Sequence, residues 1–153
     1  MVSIENFDSK FRKIGRTKEW LELQEQFNNA EHIFLFGHGG NLGVADHAAI
    51  DMSRLTNKNV IAPGSGILAT SIISDESFET WLGKWLEIRT RGLDKSKCLA
   101  IGMSCSTTGD SSNSLVYGLN WAIENGINGC LWSAQPKDGL DERIIPISFD
   151  VIN

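Results

Sequence analysis

Short apolar runs alternate with longer amphipathic segments along this 153-residue chain, and that alternation restricts the folds open to it. A strand connected to a parallel neighbour needs a crossover, which is usually a helix. The pattern therefore predicts an α/β fold: a three-layer sandwich with a mainly parallel five-stranded sheet and helices on both faces. The predicted strands are HIFLF (32–36), NVIAPG (59–64), CLAIGMS (98–104), GCLWSA (129–134) and RIIPISFDVI (143–152).

Four segments have the three- and four-residue apolar spacing of helices that bury one face. They are residues 7–29, 42–55, 78–88 and 113–125. Pro146 in the last apolar run lacks an N–H, so it predicts the start of a strand or an edge position. We expect one domain, residues 31–153, preceded by a helical segment, residues 1–30, that packs on it or on a partner subunit.

Composition and charge argue against nucleic acid and membranes as partners and favour a cytoplasmic location. The net charge of −5 argues against coating nucleic acid, because phosphate backbones are bound by clustered Lys and Arg. Neither a signal peptide nor a membrane-spanning run is evident, so we expect no membrane association. Cys98, Cys105 and Cys130 are an odd number without a C-x-x-C spacing, which favours the reducing cytoplasm.

A hydroxyl-rich segment follows the third predicted strand, where a helix is about to begin. From Ser104 to Ser114 it holds five serines and two threonines, and it contains neither Lys nor Arg. The first turn of a helix offers free N–H groups and a partial positive charge. Together with the hydroxyls and the conformational freedom of Gly109, these groups predict a phosphate-binding site without charged side chains. The alternative is that the serines only cap the helix.

The first predicted strand also ends in a loop rich in glycine. Gly37, Gly39 and Gly40 free the backbone beside Asn41, and His38 lies at the end of the strand. The loop has neither the dinucleotide fingerprint nor a Walker sequence, and a tight turn explains it equally well. Because parallel strands all end at the same edge of the sheet, we expect the loops after the first and third predicted strands to form one crevice.

His47 and Asp51 are four residues apart in the helix that follows, so they share a face. Such a pair could bind a metal or move protons, and the alternative is a surface ion pair. His32 precedes an apolar strand and is expected to be structural. Cys105 lies near a helix start but has no paired base in the sequence, so we interpret it as a small loop residue.

Two motifs in order resemble the sugar isomerase (SIS) domains of the phosphoheptose isomerase family. IFLFGHGGNLGVADHAAIDMSRL is similar to that family's strand, G-N-G-G-S loop and helix with H-x-x-x-E. GMSCSTTGDSSN is similar to its second motif, G-x-S-T-S-G-N-S-x-N, when Thr107 and Thr108 are counted as an insertion. The resemblance covers residues 31–149 and implies a flavodoxin-like SIS domain.

The resemblance also implies roles for individual residues. His47 falls on the family's metal-ligand histidine, and Asp51 replaces a glutamate of acid–base chemistry or metal binding, so these two are the predicted catalytic residues. Asp75 falls on an acidic residue of the sugar pocket, and Cys105 on a threonine. The predicted phosphate- and sugar-binding residues are His38, Gly39, Gly40, Asn41, Asp75, Ser104, Ser106, Thr107, Thr108 and Ser111.

One departure from the family bears on catalysis. Its isomerases continue into a C-terminal helix that supplies a second histidine, whereas the last histidine here is His47. The sequence therefore favours a phosphosugar-binding SIS domain with uncertain catalysis. The alternatives are an aldose–ketose isomerase of phosphosugars, with Asp51 as the base, and a protein-binding adaptor. We expect no cofactor, with zinc held only if another subunit completes the site at His47, and a homo-oligomer, a dimer or tetramer.

Overall fold

The computed structural model describes residues 4–64, 66–105 and 109–149, and the strands within them form one sheet. Its order is β2-β1-β3-β4-β5, and every neighbouring pair is parallel. The predicted parallel five-stranded α/β fold is thereby confirmed. The strands are β1 (His32–Phe36), β2 (Asn59–Ile61), β3 (Cys98–Ser104), β4 (Asn128–Ser133) and β5 (Ile145–Ser148).

Helices cover both faces of the sheet and complete three layers. On one face α2 and α3 pack against alternate strand residues, with α1 at the margin, and on the other face α4, α5 and α6 do so. Within the described ranges no helix combines the length and apolarity needed to cross a bilayer. The helices are α1 (Ile4–Ile14), α2 (Lys18–Asn29), α3 (Gly40–Leu55), α4 (Gly66–Asp75), α5 (Trp81–Arg89) and α6 (Asp110–Glu124).

Strand β1 shows why the sheet needs a helical layer on each side. Ile33 and Leu35 point into the layer of α2 and α3, whereas Phe34 and Phe36 point into the layer of α4 to α6. All four are buried, as expected for a strand of a parallel sheet covered on both faces. On the second face the indole of Trp85 meets both phenylalanine rings edge-on, at 5.9 Å and 6.2 Å between centroids.

The predicted helix over residues 7–29 is wrong in one respect, because the chain forms two helices there. Helix α1 ends at Ile14, and Thr17 caps α2 by accepting a hydrogen bond from the Trp20 N–H at 3.2 Å. Apolar spacing continues across the break, so the periodicity alone hides it. Helix α4 was not predicted, since its sequence is too uniformly apolar to show a period. Pro146 lies in the edge strand β5, as predicted.

Two glycines bring α5 and α6 into close contact. A Cβ atom on Gly118 would lie 2.8 Å from Cβ of Leu82, and one on Gly83 would lie 2.7 Å from Cε1 of Tyr117. Both distances are shorter than carbon atoms tolerate, so a larger residue at Gly118 would force the helices apart, whereas one at Gly83 would displace the ring of Tyr117. The contact fixes the ring of Tyr117 against the backbone of α5.

Candidate functional site

The two predicted loops lie side by side at the carboxyl edge of the sheet. Strands β1 and β3 are neighbours, and the chain leaves β1 towards β2 on one side while β3 continues the sheet on the other. Such a switch point opens a crevice in sheets of this class. The approach is close, because a Cβ on Gly37 would lie 2.9 Å from the carbonyl oxygen of Met103. Across it, Cys105 Sγ is 3.5 Å from Asn41 Oδ1.

The glycine-rich loop starts α3 without a side-chain cap. Gly39 is the N-cap residue and has a φ of 56°, a conformation that favours glycine. The Asn41 N–H donates to the His38 carbonyl at 3.1 Å, so the first turn is closed by backbone atoms. The Asn41 side chain is left to reach the second loop, and the predicted residues Gly39, Gly40 and Asn41 thus lie beside the crevice.

The structure describes the two ends of the hydroxyl-rich loop but not its middle, residues 106–108. Ser104 ends β3 and is buried, while Ser106, Thr107 and Thr108 lie outside the described residues, so their predicted role is untested by geometry. Gly109, with a φ of 93°, precedes α6, and its carbonyl accepts the first helical hydrogen bonds, from the N–H groups of Ser112 and Asn113. The N–H groups of the residues at the start of the helix point towards this loop.

His38 is held between aromatic rings instead of facing open solvent. Its ring centroid is 5.2 Å from that of Phe78 and 5.7 Å from that of Trp81. The indole N–H of Trp81 donates to Nε2 of His38 at 3.3 Å, which leaves the ring hydrogen on Nδ1 when the histidine is neutral. Burial lowers the pKa of His38 below its ordinary value, so the neutral ring is the form present at pH 7.

We expect acidification to destabilise the protein partly through His38. Since its pKa is lower in the folded state than in the unfolded state, the unfolded chain binds more protons as the pH falls past the ordinary value of 6.5. Protonation would also oppose the hydrogen bond from Trp81. In urea denaturation from pH 7 to pH 5, the His38→Phe variant should lose less stability than the wild type. Equal losses in the two proteins would contradict this assignment.

The side chains of His47 and Asp51 contact each other on the outer face of α3. Nε2 and Oδ2 are 3.1 Å apart, and the side chains are 82% and 43% exposed. Arg54 also contacts Asp51, at 3.2 Å. Among the residues that the structure describes, no group of three side chains could hold a metal ion. His47 and Asp51 supply two ligands where a protein zinc site needs three or four, so alone they do not fit that ion.

Asp75, predicted in the sugar pocket, is the last residue of α4 and its side chain is exposed. In the described part of the chain, no hydrogen bond or ion pair joins it to either loop. Ser111, in the first turn of α6, is half-buried at the start of the helix. Of these two predicted residues, Ser111 lies in the helix turn that directly follows the hydroxyl-rich loop.

The fold adds a cation to the hydroxyl-rich segment, which has none along its own sequence. Lys137, in the loop between β4 and β5, donates from Nζ to Oγ of Ser112 at 2.7 Å. Asn120 fixes this loop to α6, because its side chain donates to the Gly139 carbonyl at 2.8 Å and accepts from the Asp141 N–H at 2.9 Å. Sequence analysis missed Lys137, since nothing in the sequence shows which helix this loop contacts.

Two cavities flank the loops. A polar groove of about 480 Å³, here called the α6 groove, runs beside the start of α6. An apolar cavity of about 360 Å³ lies between α1 and the ends of the central strands. Residues that line the α6 groove include Gly109, Ser112, Asn113, Tyr117, Lys137 and Asp138; those that line the apolar cavity include Phe7, Phe11, Asn41, Ser104, Cys105 and Trp132.

The sheet order and the crevice at its switch point define a flavodoxin-like α/β sandwich. No protein-family profile and no curated protein sequence matches the chain. Among solved structures, the chain is similar to phosphoheptose isomerase GmhA from Neisseria gonorrhoeae, with a TM-score of 0.65 and 21% identity over 95% of this chain and 79% of that one. The chain therefore has a GmhA-like fold.

Proposed function

We propose that the chain binds a phosphorylated sugar at the carboxyl edge of its sheet. The observation that carries this proposal is the meeting of the two loops, in which the Asn41 side chain reaches Cys105. Buried hydroxyls and a helix N-terminus suit a phosphate, and the GmhA-like fold supports a sugar as the remainder of the ligand. The protein-binding adaptor is less favoured, because it would not need a hydroxyl-rich loop.

Thermal denaturation with a panel of sugar phosphates and the matching free sugars tests this function. A ligand at a hundredfold excess over its Kd stabilises the folded state by about 2.7 kcal/mol. In a chain of this size the Tm should then rise by roughly 5–10 °C. We expect this increase with at least one phosphorylated sugar and with none of the free sugars.

The double variant Ser106→Ala/Ser111→Ala should lose the ligand-dependent increase. The Ser71→Ala variant is a matched control, because Ser71 is an exposed serine of α4 that lines neither the α6 groove nor the apolar cavity. It should respond to ligand like the wild type. An unchanged response of the double variant would show that the phosphate is bound elsewhere.

Aldose–ketose isomerisation is the second candidate function, favoured by the His47–Asp51 pair. In this reaction a base removes the proton next to the carbonyl, and the proton returns to the former carbonyl carbon. Because the pair lies on an outer face, a neighbouring subunit would have to complete the site. The exposed apolar side chains of Val44, Ile50 and Leu55 on α3 support the proposed homo-oligomer, which light scattering would detect.

Loss of a deuterium label from the substrate into water distinguishes turnover from binding alone. An isomerase would release the label, and the Asp51→Asn variant would not. A wild-type protein that binds the phosphosugar and retains the label is a binding protein. A zinc ion would take part in the isomerase reaction only if the neighbouring subunit supplies further ligands beside His47.

A further inference from the structure

Lys137 places a cation beside the N-terminus of a helix. Its ammonium group lies at Ser112, in the first turn of α6, where the helix carries its partial positive charge. The side chain is partly buried, and burial lowers its pKa. Lysines usually favour the opposite end of a helix. An anion bound beside both the ammonium group and the first turn of α6 would gain from both positive charges.

The surroundings of Lys137 form a cavity with room for a ligand. The α6 groove measures about 480 Å³, and its lining includes the side chains of Asn113 and Tyr117, both exposed and both able to form hydrogen bonds. The loop that carries Lys137 is fixed to α6 by the two hydrogen bonds of Asn120. The ammonium group is therefore positioned before any ligand binds, which reduces the entropy lost on binding.

Acidic residues near the groove oppose an anion, but only weakly. Glu79 and Asp138 line it, and Asp110 begins α6. All three are exposed, so water screens their charges. The charge of Lys137 is more shielded from water than theirs, and its interaction with a bound anion is correspondingly stronger.

We infer that the α6 groove is an anion subsite in which Lys137 and Ser112 hold the phosphoryl group of the ligand. This inference rests on the proposed function and adds two things to it. The phosphate is bound by a charged hydrogen bond as well as by neutral hydroxyls, and the ligand enters the groove beside α6. Asn113 and Tyr117 would then contact its hydroxyl groups.

Calorimetric titration with inorganic phosphate and with sugar phosphates tests the subsite. Hydrogen bonds to charged groups are strong enough that Lys137→Met should raise the Kd for both kinds of ligand by at least about tenfold. Lys137→Arg keeps the charge and should recover most of the affinity. Lys137→Gln is a second neutral variant if the methionine variant does not fold.

Lys18→Met is the matched control. Lys18 is an exposed lysine in the first turn of α2, so its replacement removes the same charge from a helix N-terminus that lines neither the α6 groove nor the apolar cavity. Its Kd values should equal those of the wild type. The Tm of every variant without ligand is measured in parallel, so that a loss of fold is not mistaken for a loss of binding.

The outcomes separate this inference from the proposed function. If Lys137→Met binds sugar phosphates like the wild type while Ser106→Ala/Ser111→Ala does not, the subsite is wrong and the proposed function stands. If inorganic phosphate binds through Lys137 and no sugar phosphate binds, the subsite stands and the proposed function is wrong. The subsite and the proposed function are both overturned if the wild type binds neither inorganic phosphate nor any sugar phosphate. Equal weakening by the arginine and methionine variants, with a lower Tm, would make Lys137 a structural residue.

Discussion

Replacing Trp85 with alanine is expected to lower the free energy of unfolding by about 3–5 kcal/mol. The indole is fully buried in the layer between the sheet and α5 and α6, and it contacts Phe34 and Phe36 edge-on. Removing it leaves a cavity that the helices cannot close, since the glycine contacts already hold α5 against α6. Domains are typically stable by only about 5–15 kcal/mol, so the variant would lose a large share of its stability.

Trp85→Phe separates the loss of packing from the loss of the indole N–H. The phenyl ring keeps most of the buried area, and Nε1 of Trp85 has no hydrogen-bond partner among the described residues. We expect this variant to lose about 1–2 kcal/mol, because the N–H contributes no hydrogen bond there. Urea denaturation followed by circular dichroism measures both variants. A smaller loss in the alanine variant than in the phenylalanine variant would contradict the described packing.

Gly37→Ala is expected to have the second-largest effect, because it changes both stability and the site. The added methyl group would lie 2.8 Å from Cβ of Asn41 and 2.9 Å from the Met103 carbonyl oxygen. A backbone oxygen cannot turn aside as a flexible side chain can, so the ends of β1 and β3 must separate. We expect a loss of about 1–3 kcal/mol and an increase of at least about tenfold in the Kd for a sugar phosphate.

Gly43→Ala is the control for that change. No atom lies within 4 Å of a Cβ at Gly43, which lies within α3 and is not among the predicted binding residues. Alanine favours helix over glycine by about 0.8–1 kcal/mol in a helix interior, so stability should be equal or slightly higher. The sugar-phosphate Kd should stay near that of the wild type. Equal effects of the two substitutions would show that the close approach at Gly37 does not govern the crevice.

The sheet could be predicted because its strands are buried on both faces. HIFLF and CLAIGMS are continuous apolar runs, and they form β1 and β3 without a shift at either end. The break between α1 and α2 was missed although Thr17 and Gly15 mark it in the sequence. The apolar spacing of Ile14 and Trp20 continues across the break, so the helical periodicity conceals the turn that Gly15 and Thr17 mark.

The candidate site was less predictable, because its chemistry depends on contacts between distant segments. Ser112 and Lys137 are 25 residues apart, and only the folded chain places them 2.7 Å apart. His38 was correctly placed at the end of β1, but its contacts with Phe78 and Trp81 come from the segment that leads into α5. For His47 and Asp51 the spacing established a shared helix face, and it could not show that this face is exposed.

The contact between α5 and α6 makes the shape of the α6 groove depend on Gly83, a residue that does not line the groove. Gly83 leaves the space in which the ring of Tyr117 rests, and that ring is one wall of the groove. A larger residue at position 83 would displace this ring and so change the width of the groove, although position 83 itself does not line it. The size of the side chain at position 83 is therefore expected to set the size of the molecule that the groove admits.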